Sequence, residues 1–186
     1  MMDNAPAIPA PKPITLKAIT TALLVLDQSE QSRDPALFAT GYQLIPSLTR
    51  MITKARGKGL FIIFTYSFVL KGTPDGKVYS GYDRRDNEPV LTPHAFDKFQ
   101  GSEMDQLLKE HQIDTLIITG SRSNICVMHT AVTAARFFNY HVVIPLDGTA
   151  ANSRYEYEYS INHLTFCPGG VSDRFSFTTI DGITLV

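Results

Sequence analysis

Two side chains in this sequence stand where buried elements meet loops and carry groups able to act together, and a third lies between them in the chain. Cys126 lies in GSRSNICVMHTA, residues 120–131, between an apolar stretch (IDTLIITG) and a helical pattern (VMHTAVTAARFF). A thiol attacks as thiolate, and a helix amino terminus favours that form through unpaired N–H groups and the positive dipole end. Asn124 is a good N-cap and would set Cys126 at the second helical position, where free N–H groups also suit an oxyanion. The bland alternative is a small buried hydrophobe, because free cysteine is among the most buried residue types. Asp27 closes the apolar run TALLVLD, a costly place for a carboxylate that is neither paired nor used. It either caps the next segment or takes the thiol proton and returns it to a leaving amine. Lys98, in HAFDKFQGSEM, reads alone as a solvated lysine. Beside the other two it would hold both ionised.

The elements that must position these groups alternate. Thr21 to Asp27, Leu60 to Tyr66, Thr115 to Gly120 and His141 to Leu146 are continuous apolar runs, the pattern of strands buried on both faces, and Phe175 to Ile180 is a fifth candidate. Helical spacing covers residues 41–57, ending in the C-cap glycine of ARGKG, then Ser102 to His111, Asn124 to Phe138 and Ser153 to Leu164. Residues 1–18 hold four prolines and read as an extended arm before one domain over residues 19–186. Alternation of this kind implies a parallel sheet between helical layers, a three-layer α/β/α fold, with any ligand beyond the carboxyl ends of the strands. Asp27 and Cys126 then face one crevice. Residues 67–97 are too long for a simple connection and read as a functional loop or lid.

Composition narrows the class. The chain has 186 residues, 44% of them apolar, and a formal charge of -1. It shows no basic footprint for nucleic acid, and its apolar runs fall far short of the ~20 residues of a membrane span. The proline-rich start lacks an apolar h-region, and Cys126 and Cys167 read as free thiols, so a cytoplasmic protein is expected. Cys167, before proline in TFCPGG, sits in an expected turn and reads as incidental.

Three segments in order, ALLVLD with Asp27, FDKFQGSEMDQLLKE with Lys98 and LIITGSRSNICVMHTAVTAARFFNYHVVIPLDGTAA with Cys126, resemble the isochorismatase-like cysteine hydrolases. That family includes nicotinamidases, N-carbamoylsarcosine and ureidoacrylate amidohydrolases, and isochorismatases. The resemblance spans residues 19–165. It implies an Asp27–Lys98–Cys126 triad, a cis peptide between Ser121 and Arg122, and an oxyanion hole from the amides of Arg122 and Cys126. It also implies hydrolysis of a small-molecule amide or other C–N bond through a thioester, without a cofactor, in a homo-oligomer, a dimer or tetramer. Hydrolysis of a vinyl ether of the isochorismate type is the alternative chemistry. A silent binding protein and a redox sensor built on Cys126 are alternatives from other classes.

The chain also departs from the pattern. Ser29 stands where many members carry glutamine, and TYSFVLKGTPDG lacks the Asp-x-His ligands of metal-dependent nicotinamidases, so no metal is expected. Arg122 is large where small residues are frequent, and either reaches over the pocket to a substrate carboxylate or points to solvent. In KGTPDGKVYSGYDRR, Arg84 and Arg85 either attract an acidic substrate or form a solvated face. The tyrosines of YEYEY, 155–159, are expected on a helix.

Overall fold

The computed structural model describes residues 7–167 and 171–186. In chain order the strands are β1 (Ile14–Leu16), β2 (Thr21–Leu26), β3 (Phe61–Thr65), β4 (Val90–Leu91), β5 (Thr115–Ser121), β6 (His141–Pro145), β7 (Thr149–Ala150), β8 (Phe175–Thr178) and β9 (Ile183–Leu185). The α-helices are α1 (Pro35–Gly57), α2 (Met104–Glu110), α3 (Met128–Phe137) and α4 (Arg154–Thr165). The main sheet runs β4-β3-β2-β5-β6-β8, with β7 added on β5, and every pairing in it is parallel.

Side chains alternate across a strand, so each apolar run feeds two cores. Leu23, Val25, Ile62, Phe64, Ile117 and Val143 meet Leu44, Leu48, Met51, Ile52 and Ala55 of α1 on one face. Ala22, Leu24, Leu26, Ile63, Leu116, Ile118, Val142 and Ile144 meet α2, α3 and α4 on the other. The result is the three-layer α/β/α arrangement expected, with the strands close to their expected limits.

Three local departures matter. The arm does not stay extended and alone, because its end is β1, which pairs in parallel with β9. Residues 1–6 and the remainder of the TFCPGG turn after Cys167 lie outside the described residues. Helix α1 begins at Pro35, ahead of the expected 41, with the Asp34 carboxylate accepting from the Ala36 amide at 2.8 Å. Aspartate at N-cap followed by proline is a strong helix start. The third departure is that residues 67–97 carry short 3-10 turns and β4, and part of the segment is docked. Ser29 bridges Val78, the Glu30 amide donates to the Lys77 carbonyl at 2.9 Å, and the Tyr79 amide donates to the Gln28 carbonyl at 2.9 Å. The YEYEY tyrosines do lie on a helix, α4, capped by Ser153. No described helix is long and apolar enough to cross a membrane.

Candidate active site

Asp27, Lys98 and Cys126 converge at the carboxyl end of the sheet. Asp27 follows β2 with φ at 54°, a left-handed turn that an aspartate tolerates better than most residues. Thr65, the last residue of β3, pairs in register with Leu26. Its hydroxyl accepts from the Asp27 amide at 3.2 Å and donates to Asp27 Oδ1 at 2.9 Å. Backbone and carboxylate are thus held by one side chain, which leaves Oδ2 facing the other two groups. Lys98 Nζ stands 2.7 Å from Oδ2, and the Cys126 thiol donates to the same oxygen at 3.0 Å.

Lys98 is fully buried, at 0% exposure, and its placement comes from α3. Thr130 Oγ1 accepts from the Lys98 amide at 3.1 Å, while Thr133 donates to the neighbouring Asp97 carboxylate at 2.7 Å. A buried ammonium is tolerable here because the Asp27 carboxylate pairs it. The solvated lysine that the residue type alone suggests is therefore not what the fold builds.

Cys126 sits in a π turn, Ser123–Val127, ahead of α3. This corrects the expected N-cap: Asn124 is the second residue of that turn, and its Oδ1 is buried without a hydrogen-bond partner among the described residues. π turns recur at functional sites because they displace a side chain from regular helical spacing. The Ser121–Arg122 peptide ahead of the turn is cis. Gly120, at φ 112°, is packed so closely that a Cβ there would come within 2.2 Å of the Leu26 carbonyl oxygen, so only glycine lets β5 close on β2 at this level. Gln28 adds a tie, donating to Ser121 Oγ at 3.2 Å and accepting from Tyr82 at 3.2 Å.

The thiol's electrostatics reverse the expectation of a low pKa. Burial, followed by the Asp27 carboxylate, pushes Cys126 up to about 12, against the downward pull of Lys98 and the Arg122 backbone N–H. The resting pair is therefore a neutral thiol donating to a carboxylate whose charge Lys98 balances. Such a pair is poised for transfer of the proton from sulfur to Oδ2.

The cavity over the thiol holds about 250 Å³ and is lined by Asp27, Ser29, Ser67, Phe96, Arg122 and Ile125 among others. Arg122 lines it as well, and its guanidinium has no ion-pair partner among the described residues. Arg84 and Arg85 do not line it. Arg84 donates to the carbonyls of Arg85 and Glu88, and the Arg85 amide donates to the Glu88 carboxylate, which Arg56 holds in a buried ion pair at 2.7 Å. These arginines brace the loop before β4, and the expectation that they bind substrate is corrected: the Glu88 network engages Arg84, and the Arg85 backbone, away from the cavity. Thr65 and Gln28 were missed in the sequence. A threonine closing an otherwise apolar strand beside the Asp27 strand was the available signal.

Comparison with known proteins identifies the family. The isochorismatase domain family matches residues 21–174. A stretch of 102 residues is 27% identical to the uncharacterized isochorismatase family protein PncA of Bacillus subtilis (strain 168), covering 51% of this chain and 55% of that one. The match thus spans about half the length of that curated relative. An isochorismatase-like hydrolase from Alkaliphilus metalliredigens has a similar solved structure, with TM-score 0.74, 26% identity, and coverage of 87% of this chain and 93% of its own. N-carbamoylsarcosine amidase from Thermoplasma acidophilum gives 0.75 at 22% identity, over 89% and 98% of the two chains, a likeness of fold. A parallel α/β/α sheet, with Asp27, Lys98 and Cys126 meeting at its carboxyl end and a family match over most of the chain, identifies this protein as a member of the isochorismatase domain family.

Proposed function

We propose that the protein is a cysteine hydrolase acting on a small amide or other non-peptide C–N bond through a thioester. The observation that carries this is the convergence of the Cys126 thiol and the Lys98 ammonium on one oxygen of Asp27. Asp27 takes the thiol proton as sulfur adds to the substrate carbonyl carbon, so no net charge is created in the buried pair. The backbone N–H groups of Arg122 and Cys126 receive the oxyanion. The proton on Asp27 passes to the departing nitrogen, the C–N bond breaks, and an acyl thioester remains on Cys126. Water then gives a proton to Asp27 and adds to the thioester. Collapse releases the carboxylic acid and returns the proton to sulfur. Lys98 offsets the Asp27 carboxylate whenever it is ionised, and Arg122 meets any polar group that the substrate carries. Family membership and the amidase named among the similar folds support the C–N bond as the target.

The test is a screen of small amides, ureas and carbamates for ammonia release, with Cys126→Ser as control and mass spectrometry of the quenched enzyme. Turnover lost in Cys126→Ser and an acyl adduct mapped to Cys126 are expected. Asp27→Asn should fold and lose a factor on the order of 10² or more, the usual contribution of a general base. Undiminished ammonia release by Cys126→Ala would remove the thioester, and turnover of a vinyl ether with no ammonia from any C–N substrate would favour vinyl-ether hydrolysis instead.

A further inference from the structure

One wall of the cavity over Cys126 is apolar. It is built by Leu37, Phe38, Val69, Leu70, Phe96 and Ile125, drawn from four separate segments of the chain. Three of these are open to water, Leu37 at 59% exposure, Val69 at 67% and Phe96 at 43%. Apolar surface left in water is unfavourable in proportion to its area, so a ligand that covers this wall gains by doing so.

The wall is not an accident of loose loops. Phe38 lies in α1 with non-helical angles, φ −148° and ψ 73°, at a kink where the helix gives up regular geometry. A Cβ on Gly41 would stand 2.4 Å from the Phe38 ring, so the ring's seat beside the cavity requires glycine there. Phe96 is held edge-on against Phe68, with ring centroids 5.0 Å apart. Both rings are thus fixed before any ligand arrives, which lowers the ordering cost of binding.

Charge narrows the ligand further. Asp27 and Lys98 offset one another, Arg84 and the Arg85 backbone are engaged by the Glu88 network, and Arg122 also lines the cavity, so nothing there is left to pair a cationic ligand. The volume of about 250 Å³ lies just under the ~300–1,000 Å³ of drug-sized sites, which admits only a compact molecule. We infer that the substrate is a small carboxamide with a branched aliphatic or carbocyclic acyl group. That group packs on Phe38, Phe96 and Ile125 while the carbonyl carbon meets Cys126 Sγ and the nitrogen leaves as ammonia. This rests on the amide-hydrolase reading of the same site.

The experiment measures ammonia release from acetamide, propionamide, isobutyramide and cyclohexanecarboxamide, with nicotinamide against benzamide as a polar ring against an apolar one. In parallel, calorimetry measures binding of the same amides to Cys126→Ala. The expected kcat/KM rises roughly fourfold per buried methylene, and benzamide exceeds nicotinamide. Val69→Ser and Phe96→Ser, both at exposed positions where folding is insensitive, should flatten the series. Turnover indifferent to apolar area overturns the substrate class and leaves the hydrolase standing. Binding that follows apolar area without turnover on any amide keeps the class and overturns the amide hydrolase. Neither binding nor turnover overturns both.

Discussion

Replacing Lys98 with methionine isolates the electrostatics of the site from its packing. Methionine keeps an unbranched chain of similar reach, so the volume around α3 is largely preserved, but the ammonium 2.7 Å from Asp27 Oδ2 is gone. Asp27 has a side chain only 7% exposed, and it would be left as a buried carboxylate with Thr65 and the Cys126 thiol as its remaining side-chain partners. Breaking a buried pair in this way costs about 3–5 kcal/mol, because the surviving charge is desolvated without compensation. For a chain of this size each kcal/mol moves Tm by roughly 2–4 °C, so a drop on the order of 6–20 °C is expected. Asp27→Asn keeps an acceptor for the thiol and a partner for Thr65, but leaves Lys98 unpaired. The double variant, with neither charge, should recover to near the wild-type stability, which gives an interaction energy of at least ~2 kcal/mol. Urea denaturation of the four proteins is the assay. A Lys98→Met loss within ~0.5 kcal/mol, the range of surface substitutions, or strict additivity in the cycle, would refute the buried-pair account.

The raised thiol sets a second expectation: with Cys126 near 12, roughly one thiol in 10⁴ is ionised at pH 8, so alkylation by iodoacetamide should be slow and climb about tenfold per pH unit. Asp27→Asn removes the second-largest cause of that shift and should speed alkylation while abolishing turnover; fast, pH-independent alkylation between pH 6 and 8 in the wild type would contradict the neutral resting thiol. Burial alone would raise Glu88, but the Arg56 hydrogen bond, the Arg85 amide and both guanidinium charges outweigh it and hold the carboxyl below its ordinary 4.5. Its contribution to stability is therefore present above the ordinary carboxylate value and lost as pH falls below it, so Glu88→Gln should flatten the acid limb of the denaturation midpoint between pH 5 and 3. Phe137, Tyr155, Tyr159 and Phe166 leave aromatic surface exposed on α3, on α4 and just past its end, and we propose that it is covered in a homo-oligomer; light scattering should report a multiple of 20.6 kDa at micromolar concentration, and a monomer would count against it.

The elements that make the sheet were legible in the chain because burial on both faces forces continuous apolar runs, and a run such as TALLVLD or LFIIFTY has few other fates. The carboxyl-end rule for parallel sheets then brought Asp27 and Cys126 to one crevice, and the GSRSNICVMHTA turn carried the family resemblance. Asp34-Pro35 was an equally local signal for the start of α1. Other features depended on residues far apart in sequence. That Thr65 holds Oδ1 while Lys98 and Cys126 share Oδ2 follows from strand register and from contacts spanning 38 and 99 positions. No periodicity encodes such contacts. Arg84 and Arg85 looked like substrate ligands by charge, yet the buried Arg56–Glu88 pair decides where that segment lies and which groups engage them. The thiol is the sharpest case. Sequence supplied a helix start and a nearby cation, both of which lower a thiol's pKa, whereas the fold adds burial and a carboxylate 3.0 Å away, which raise it and outweigh them. Desolvation depends on what surrounds a group in three dimensions, and only the packed tertiary structure sets that.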